Sequence, residues 1–375
     1  MISKDGADAQ QSVRSDSNYY ALVYLALATL TYVSEGDPAN IARDLQDGIK
    51  QLKQLPKVGG GGTVDGKWNL IWGPVISDYN SNMMYAIEYA DAAAEWPIFA
   101  AVAIRGTDTK AVRKGLYKQI YEDINAGHLV YFDSDQKKIG KIAKGTGTGL
   151  DILLNMTDNN SKTVQEVLKD RYYNDHYHDT PVVVTGHSLG GCMTTVMSYK
   201  LALNLDLTIV PQAFAPPTAG NKKFAESFGN QFKVFYLWMN NMDIVPNAFW
   251  NMAKLTELWP GIDAPKKIKK IINKFKKFTD KKGYTQPGKQ WLQGSVFEQY
   301  KNWADQVSPQ HSPWTYADLI RAQYKEVAPY ELVPASPPPP PPALVPASSK
   351  VKKKPVKKKP AKKKPAKKKQ TKKQR

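Results

Sequence analysis

The residues Gly186-His187-Ser188-Leu189-Gly190 stand between an apolar run, Val182–Thr185, and a stretch of helical character, Leu189–Leu203. A Gly-x-Ser-x-Gly pattern in that setting marks a sharp strand-to-helix turn that lifts a serine clear of a sheet. Small residues are needed there because strand and helix pass close together. The start of the helix also favours negative charge at the reacting centre. Ser188 is therefore the candidate nucleophile, with Gly186 and Gly190 as the glycines of its elbow. A serine hydroxyl needs a base at neutral pH, and on such elbows acid and histidine follow in the order Ser, acid, His. Of the histidines, His128, His176, His178, His187 and His311, only His311 follows Ser188. His187 points off the same turn and is not expected to reach the serine oxygen. His176 and His178 form an H-x-H pair in a polar loop, better suited to solvent than to a metal. The candidate acids are Asp206, Asp243, Asp263, Asp280 and Asp305. Asp243 alone follows a strand-like run, Phe232–Trp238, at the sheet edge where open α/β sheets carry their sites. The chemistry implied is nucleophilic attack by a base-activated serine, with no metal or organic cofactor.

The elements that position these residues alternate. Strand-like runs at Trp68–Ile76, Met83–Tyr89, Pro97–Ile104, Val182–Thr185 and Ile209–Phe214 are separated by helical stretches at about 112–124, 162–172, 189–203 and 221–228. That alternation predicts an α/β fold whose sheet is parallel in its later half, with an antiparallel turn at Asp91–Trp96. Two helical stretches precede the strands, Tyr19–Val33 and Ile41–Leu55. The segment Gly61–Trp68 approaches a phosphate-binding loop, but Trp68 stands where that loop needs Ser or Thr, and strand follows instead of helix.

Composition sets the limits. The chain has 375 residues, 42% hydrophobic and 11% aromatic, enough for a sizeable core. Its net charge of +19 is mostly a tail property: Lys350–Arg375 holds 16 Lys and Arg and no acid, leaving 37 basic and 34 acidic groups elsewhere. Before the tail come six prolines, Pro337–Pro342, between two Leu-Val-Pro-Ala-Ser copies. The expected organisation is a polar, loose N-terminal segment (1–18), a folded domain (19–332), a proline-rich linker (333–349) and a disordered lysine-rich tail (350–375). One cysteine, Cys192, excludes an intrachain disulfide. Tyr19–Val33 is too short for a membrane span and follows Asp5, Asp8 and Asp16 where a signal peptide would carry basic residues. It is expected to be a buried helix. The corresponding localisation is intracellular: cytoplasmic, with membrane association or tail-directed nuclear targeting as options.

With these residues in place, the chain resembles the class 3 (fungal-type) lipases of the α/β-hydrolase superfamily. The match is carried by Ile104-Arg-Gly-Thr-Asp108, Thr185–Gly191, Phe214–Ala225 with Pro217, Gly220, Asn221 and Phe224, and Asn241–Pro246, with His311 and Tyr316 fitting a closing segment. It spans about 68–325. The resemblance implies an α/β-hydrolase fold with a mostly parallel central sheet flanked by helices, and an oxyanion hole at Thr107 and Leu189. It also implies a lipid ester substrate and a lid over the helical stretch 112–124, where Val112, Leu116, Tyr117, Ile120, Tyr121 and Ile124 recur at helical spacing. Two positions depart from the family: Phe214-Ala215 replaces Phe-Gly, and Gly127-His128 only loosely echoes the segment after the lid. A basic insertion at about 255–295 separates acid from histidine.

Two basic segments suggest partners. In Lys266–Phe278, Ile268, Ile271, Ile272, Phe275 and Phe278 fall within about 120° of a helical wheel and lysines occupy the rest. Such a helix suits an anionic membrane surface, or else docks on the core with a solvated lysine face. The tail Lys350–Arg375 would bind polyanions, nucleic acid included, by counterion release without reading sequence. The competing functional readings are an inactive hydrolase-fold scaffold whose tail does the binding, and an enzyme of acyl transfer or thioester cleavage.

Overall fold

In this computed structural model the residues described are 2–15, 18–33, 38–77, 82–93, 96–106, 124–174, 177–288 and 290–333. All of them fall within the unit Met1–Pro337. The lysine-rich tail, His176, Thr107 and the lid stretch up to residue 123 lie outside the described residues.

The strands described are β1 (Gly66–Ile76), β2 (Met83–Asp91), β3 (Pro97–Ile104), β4 (Leu129–Tyr131), β5 (Lys141–Ala143), β6 (Val182–His187), β7 (Ile209–Phe214), β8 (Tyr236–Asn240) and β9 (Trp291–Leu292). Seven of them form one sheet in the order β1-β2-β3-β6-β7-β8-β9. The β1–β2 and β2–β3 pairs are antiparallel, and every later pair is parallel. The expected mixed α/β sheet, parallel in its later half, is what forms. Strands β4 and β5 pair separately as a small antiparallel ribbon.

The period-2 pattern of β3 divides the core. Phe99, Ala101 and Ala103 face one apolar layer, and Ala100, Val102 and Ile104 face the other. The first layer is closed by the helix Ala21–Leu30, every residue of which is buried, as a sequence apolar but for Thr29 requires. Among the described residues no helix is long and apolar enough to cross a membrane. The second layer is closed by the helix Leu189–Asn204, which carries Cys192, Met193, Val196 and Met197 inward.

Two expectations needed correction. The N-terminal segment is not loose: Lys4–Arg14 is a helix, capped by the Ser3 hydroxyl accepting from Gly6 N–H at 3.0 Å. Its small buried face, Gly6, Ala9, Ser12 and Val13, is too thin to stand out among polar neighbours. The run Phe232–Trp238 is strand only from Tyr236, because Phe232 instead ends the helix Lys222–Gln231. The basic insertion also extends the sheet, through β9 beside β8.

One polar cluster pins the outer strands. Glu88 on β2 is fully buried and accepts from Arg171 Nε at 2.7 Å, from Arg171 Nη2 at 2.5 Å and from the Tyr172 hydroxyl at 2.7 Å. Removing one partner of such a pair leaves a buried charge uncompensated, a loss of 3–5 kcal/mol for fully buried pairs. Arg171 is 39% exposed, which moderates it. Arg171→Ala is expected to lower unfolding free energy by about 2–3 kcal/mol, read from urea midpoints.

Candidate active site

The turn at the end of β6 is forced by the residues around it. Ser188 adopts φ 60°, ψ −128°, a strained conformation for a non-glycine residue. A Cβ on Gly186 would lie 2.5 Å from the Gly190 backbone and 2.8 Å from the Ile104 carbonyl, and one on Gly190 would collide with that same carbonyl. Only glycine lets β6, the following helix and the end of β3 meet here. The strain is held by the packed strand on one side and the helix on the other, and it leaves the serine hydroxyl projecting from the elbow.

The structure brings Ser188, His311 and Asp243 together. Ser188 Oγ lies 2.7 Å from His311 Nε2, and His311 Nδ1 lies 2.7 Å from Asp243 Oδ2. A carboxylate can only accept, so the imidazole proton resides on Nδ1 and Nε2 is free to accept from the serine hydroxyl. Asp243 follows β8 and caps the short helix Ile244–Asn247, with Oδ1 accepting from Val245 N–H at 2.9 Å. His311 sits where the helix Trp303–Gln310 ends, and Pro313 opens the next helix, Pro313–Gln323. All three side chains are nearly inaccessible.

A second ring of contacts holds the first. The Tyr316 hydroxyl donates to Asp243 Oδ2 at 2.9 Å and accepts from Asn240 N–H at 3.0 Å. Burial, followed by the neighbouring Asp243, pushes the Tyr316 phenol well above its ordinary range, so it remains a donor. His187 does not approach the serine oxygen; its Nε2 meets the His311 carbonyl at 2.9 Å. A carbonyl can only accept, so Nε2 carries the proton. The Tyr32 hydroxyl lies 3.3 Å from His187 Nδ1 and donates to the His187 carbonyl at 3.1 Å. Tyr316 was only loosely marked in the sequence, and Tyr32 and Asn240 carried no signal there.

His187 predicts a pH dependence of stability. Burial, then the nearby His311, pushes its imidazole well below the ordinary 6.5. The folded protein keeps it neutral while the unfolded chain gains a proton below about 6.5, so its contribution is present above that pH and is lost as pH falls toward the lowered native value. One proton gives a slope of about 1.4 kcal/mol per pH unit. His187→Gln, which retains an N–H for the His311 carbonyl, should flatten the acid decline of urea stability by about that slope.

Leu189 begins the helix after the serine, so its N–H is among those with no intrahelical acceptor. The other expected oxyanion donor, Thr107, lies outside the described residues. Its predecessor Gly106 is wedged in place: a Cβ there would stand 2.5 Å from both the His187 carbonyl and the Tyr32 hydroxyl, and 3.2 Å from Gly190 N. Ala215 takes φ 51°, which explains why glycine suits this position in the family it resembles. Cys192 is buried beneath the elbow, and burial pushes its thiol up to about 12. His128 bonds Asn125, and His178 packs edge-on to Tyr173.

A family profile described as "Lipase (class 3)" matches residues 101–252. No curated protein matches the chain significantly in sequence. Among solved structures, M37 lipase superposes with a TM-score of 0.67 at 22% identity, over 82% of this chain and 93% of that one. Lipase II from Rhizopus niveus gives 0.41 at 18% identity, covering 61% and 73% of the two chains. A mono- and diacylglycerol lipase from Aspergillus oryzae gives 0.39 at 19%, covering 62% and 74%. The profile match takes in the elbow, Ser188 and Asp243, and the M37 likeness extends the common fold over most of the length. Residues 101–252 of this chain thus match the class 3 lipase family, and the chain shares its fold with M37 lipase over most of its length.

Proposed function

We propose that the protein is a serine esterase of the lipase type, hydrolysing carboxylic esters of lipids such as acylglycerols or phospholipids. The observation that carries this reading is the continuous relay from Ser188 Oγ through His311 to Asp243, at 2.7 Å and 2.7 Å. Its complete set of three groups weighs against a scaffold on a dead hydrolase fold.

In this reading His311 Nε2 takes the Ser188 proton as Oγ attacks the ester carbonyl. The tetrahedral oxyanion is met by the Leu189 N–H and by Thr107, each such donor being worth about 10²–10³ in rate. His311 then protonates the departing alcohol. Asp243 holds the Nδ1–H and stabilises the imidazolium, while Tyr316 and the Val245 N–H hold Asp243. Water, activated by His311, releases the acid from the acyl-enzyme. Only the neutral imidazole can start the cycle.

The test is hydrolysis of p-nitrophenyl esters from acetate to palmitate, with and without a lipid interface, by the protein and by its Ser188→Ala variant. Activity that favours long chains, rises at an interface and vanishes in the variant is expected. Turnover unchanged in Ser188→Ala contradicts the reading.

A further inference from the structure

Between Lys254 and Lys282 stand ten lysines against three acids, Glu257, Asp263 and Asp280. Seven of the ten lie on the helix Lys266–Thr279. Its sequence left two placements for the apolar arc, against lipid or against the core. The arc is docked: Ile272 is buried, and Ile268 and Phe275 are half-buried, in a cluster that also contains Leu189, Ile244 and Val245. Those three residues directly follow the proposed nucleophile and acid, so the helix roofs an apolar layer whose inner members adjoin the site.

What the docked helix turns outward is charge of one sign. Lys266, Lys267, Lys270, Lys274 and Lys277 are all exposed, and at 100° per residue they fall within about 100° of arc. Among the described residues the helix makes one ion pair, Lys269 to Asp263 at 3.5 Å, and neither residue belongs to that stripe. At the edge of the stripe Phe278 leaves 49% of its surface in solvent. Five cations beside an exposed aromatic ring fit a surface that is anionic outside and apolar beneath.

We propose that the lysine stripe of the helix Lys266–Thr279, with Phe278 at its edge, seats the protein on an anionic lipid surface beside its active site. The proposal rests on the lipid-ester reading above and names the surface on which that substrate is met. A nucleic acid would satisfy the lysines but offers no apolar layer for Phe278.

The test must separate this helix from the lysine-rich tail, and uses the full chain carrying Ser188→Ala. Asn273 is exposed and adjoins the stripe, so Asn273→Cys can be labelled with an environment-sensitive dye. Buried Cys192 does not compete. Phosphatidylcholine vesicles containing phosphatidylserine should blue-shift the label, and pure phosphatidylcholine vesicles should not. Each lysine near an anionic surface raises partition about fivefold. Changing the five stripe lysines to Glu should therefore lower vesicle partition by about 100-fold or more and abolish the shift, with Gln at the same positions intermediate. A label that stays unshifted while the chain pellets with vesicles would overturn the proposal, by assigning binding to the tail. So would Glu variants within twofold of the parent, or a label that responds to duplex DNA and not to vesicles. Hydrolysis of a short soluble ester by the Ser188 protein, measured without vesicles, reports the catalytic reading separately.

Discussion

Asp243→Asn should reduce kcat on a soluble ester by about 10⁴-fold while leaving KM nearly unchanged. The carboxylate is fully buried and accepts the Nδ1–H of His311 at 2.7 Å. An amide in its place can present an N–H to Nδ1. That drives the imidazole proton to Nε2, where it faces Ser188 and prevents the histidine from accepting. The loss is thus one of tautomer and of imidazolium stabilisation, not of binding. Tyr316→Phe removes one of the donors that hold Asp243 and leaves the carboxylate itself, so its effect on kcat should be far smaller. A KM rise that matches the kcat loss in Asp243→Asn would place the aspartate in binding instead.

Gly190→Ala should be among the most damaging single methyl additions at the described glycines. The added Cβ would press on the Ile104 carbonyl and stand 2.9 Å from the Arg105 carbonyl carbon and the Gly106 nitrogen, all backbone atoms at the end of β3. No side-chain rotation relieves that overlap, so the strand end and the Arg105–Gly106 turn must move away from the elbow. Overpacking of this kind costs typically 1–3 kcal/mol, and more where only backbone can yield. We expect a stability loss of about 3 kcal/mol in urea and a loss of activity in the folded remainder, because the displaced turn leads directly to Thr107. Gly229→Ala is the matched control. It lies in the helix Lys222–Gln231 with open space around the added methyl, and helix propensity predicts a gain of about 0.5–1 kcal/mol. Similar effects of the two substitutions would show that the elbow is not sterically closed.

Both predictions depend on residues whose roles were legible in the sequence, for identifiable reasons. Val182–Thr185 and Ile209–Phe214 are mostly apolar because the strands they form are covered on both faces, which is how parallel strands read. Ser188 stands out because its turn tolerates only glycine at two fixed positions. His311 was the sole histidine after it. The supporting ring was not legible, because its contacts join distant parts of the chain: Tyr32 meets His187 across 155 positions and Tyr316 meets Asp243 across 73. Chain order constrains a triad, but nothing in local pattern constrains which tyrosine reaches it. The helix Lys4–Arg14 escaped for the opposite reason, since a face of Gly, Ala, Ser and Val has little hydrophobic contrast with its neighbours. In the helix Lys266–Thr279 the amphipathic pattern was plain, yet periodicity alone does not say whether the apolar arc meets core or lipid. Packing against Ile244 and Leu189 decided that.

The most direct measurement of the central claim is covalent capture of the nucleophile. The intact protein would be treated with a fluorophosphonate ester, which traps an activated serine as a stable phosphonyl adduct, and mapped by peptide mass spectrometry. The account predicts one adduct per chain, on Ser188, formed much more slowly in Asp243→Asn and absent in Ser188→Ala. A folded protein that takes up no label, or takes it at another residue with Ser188 untouched, would contradict it.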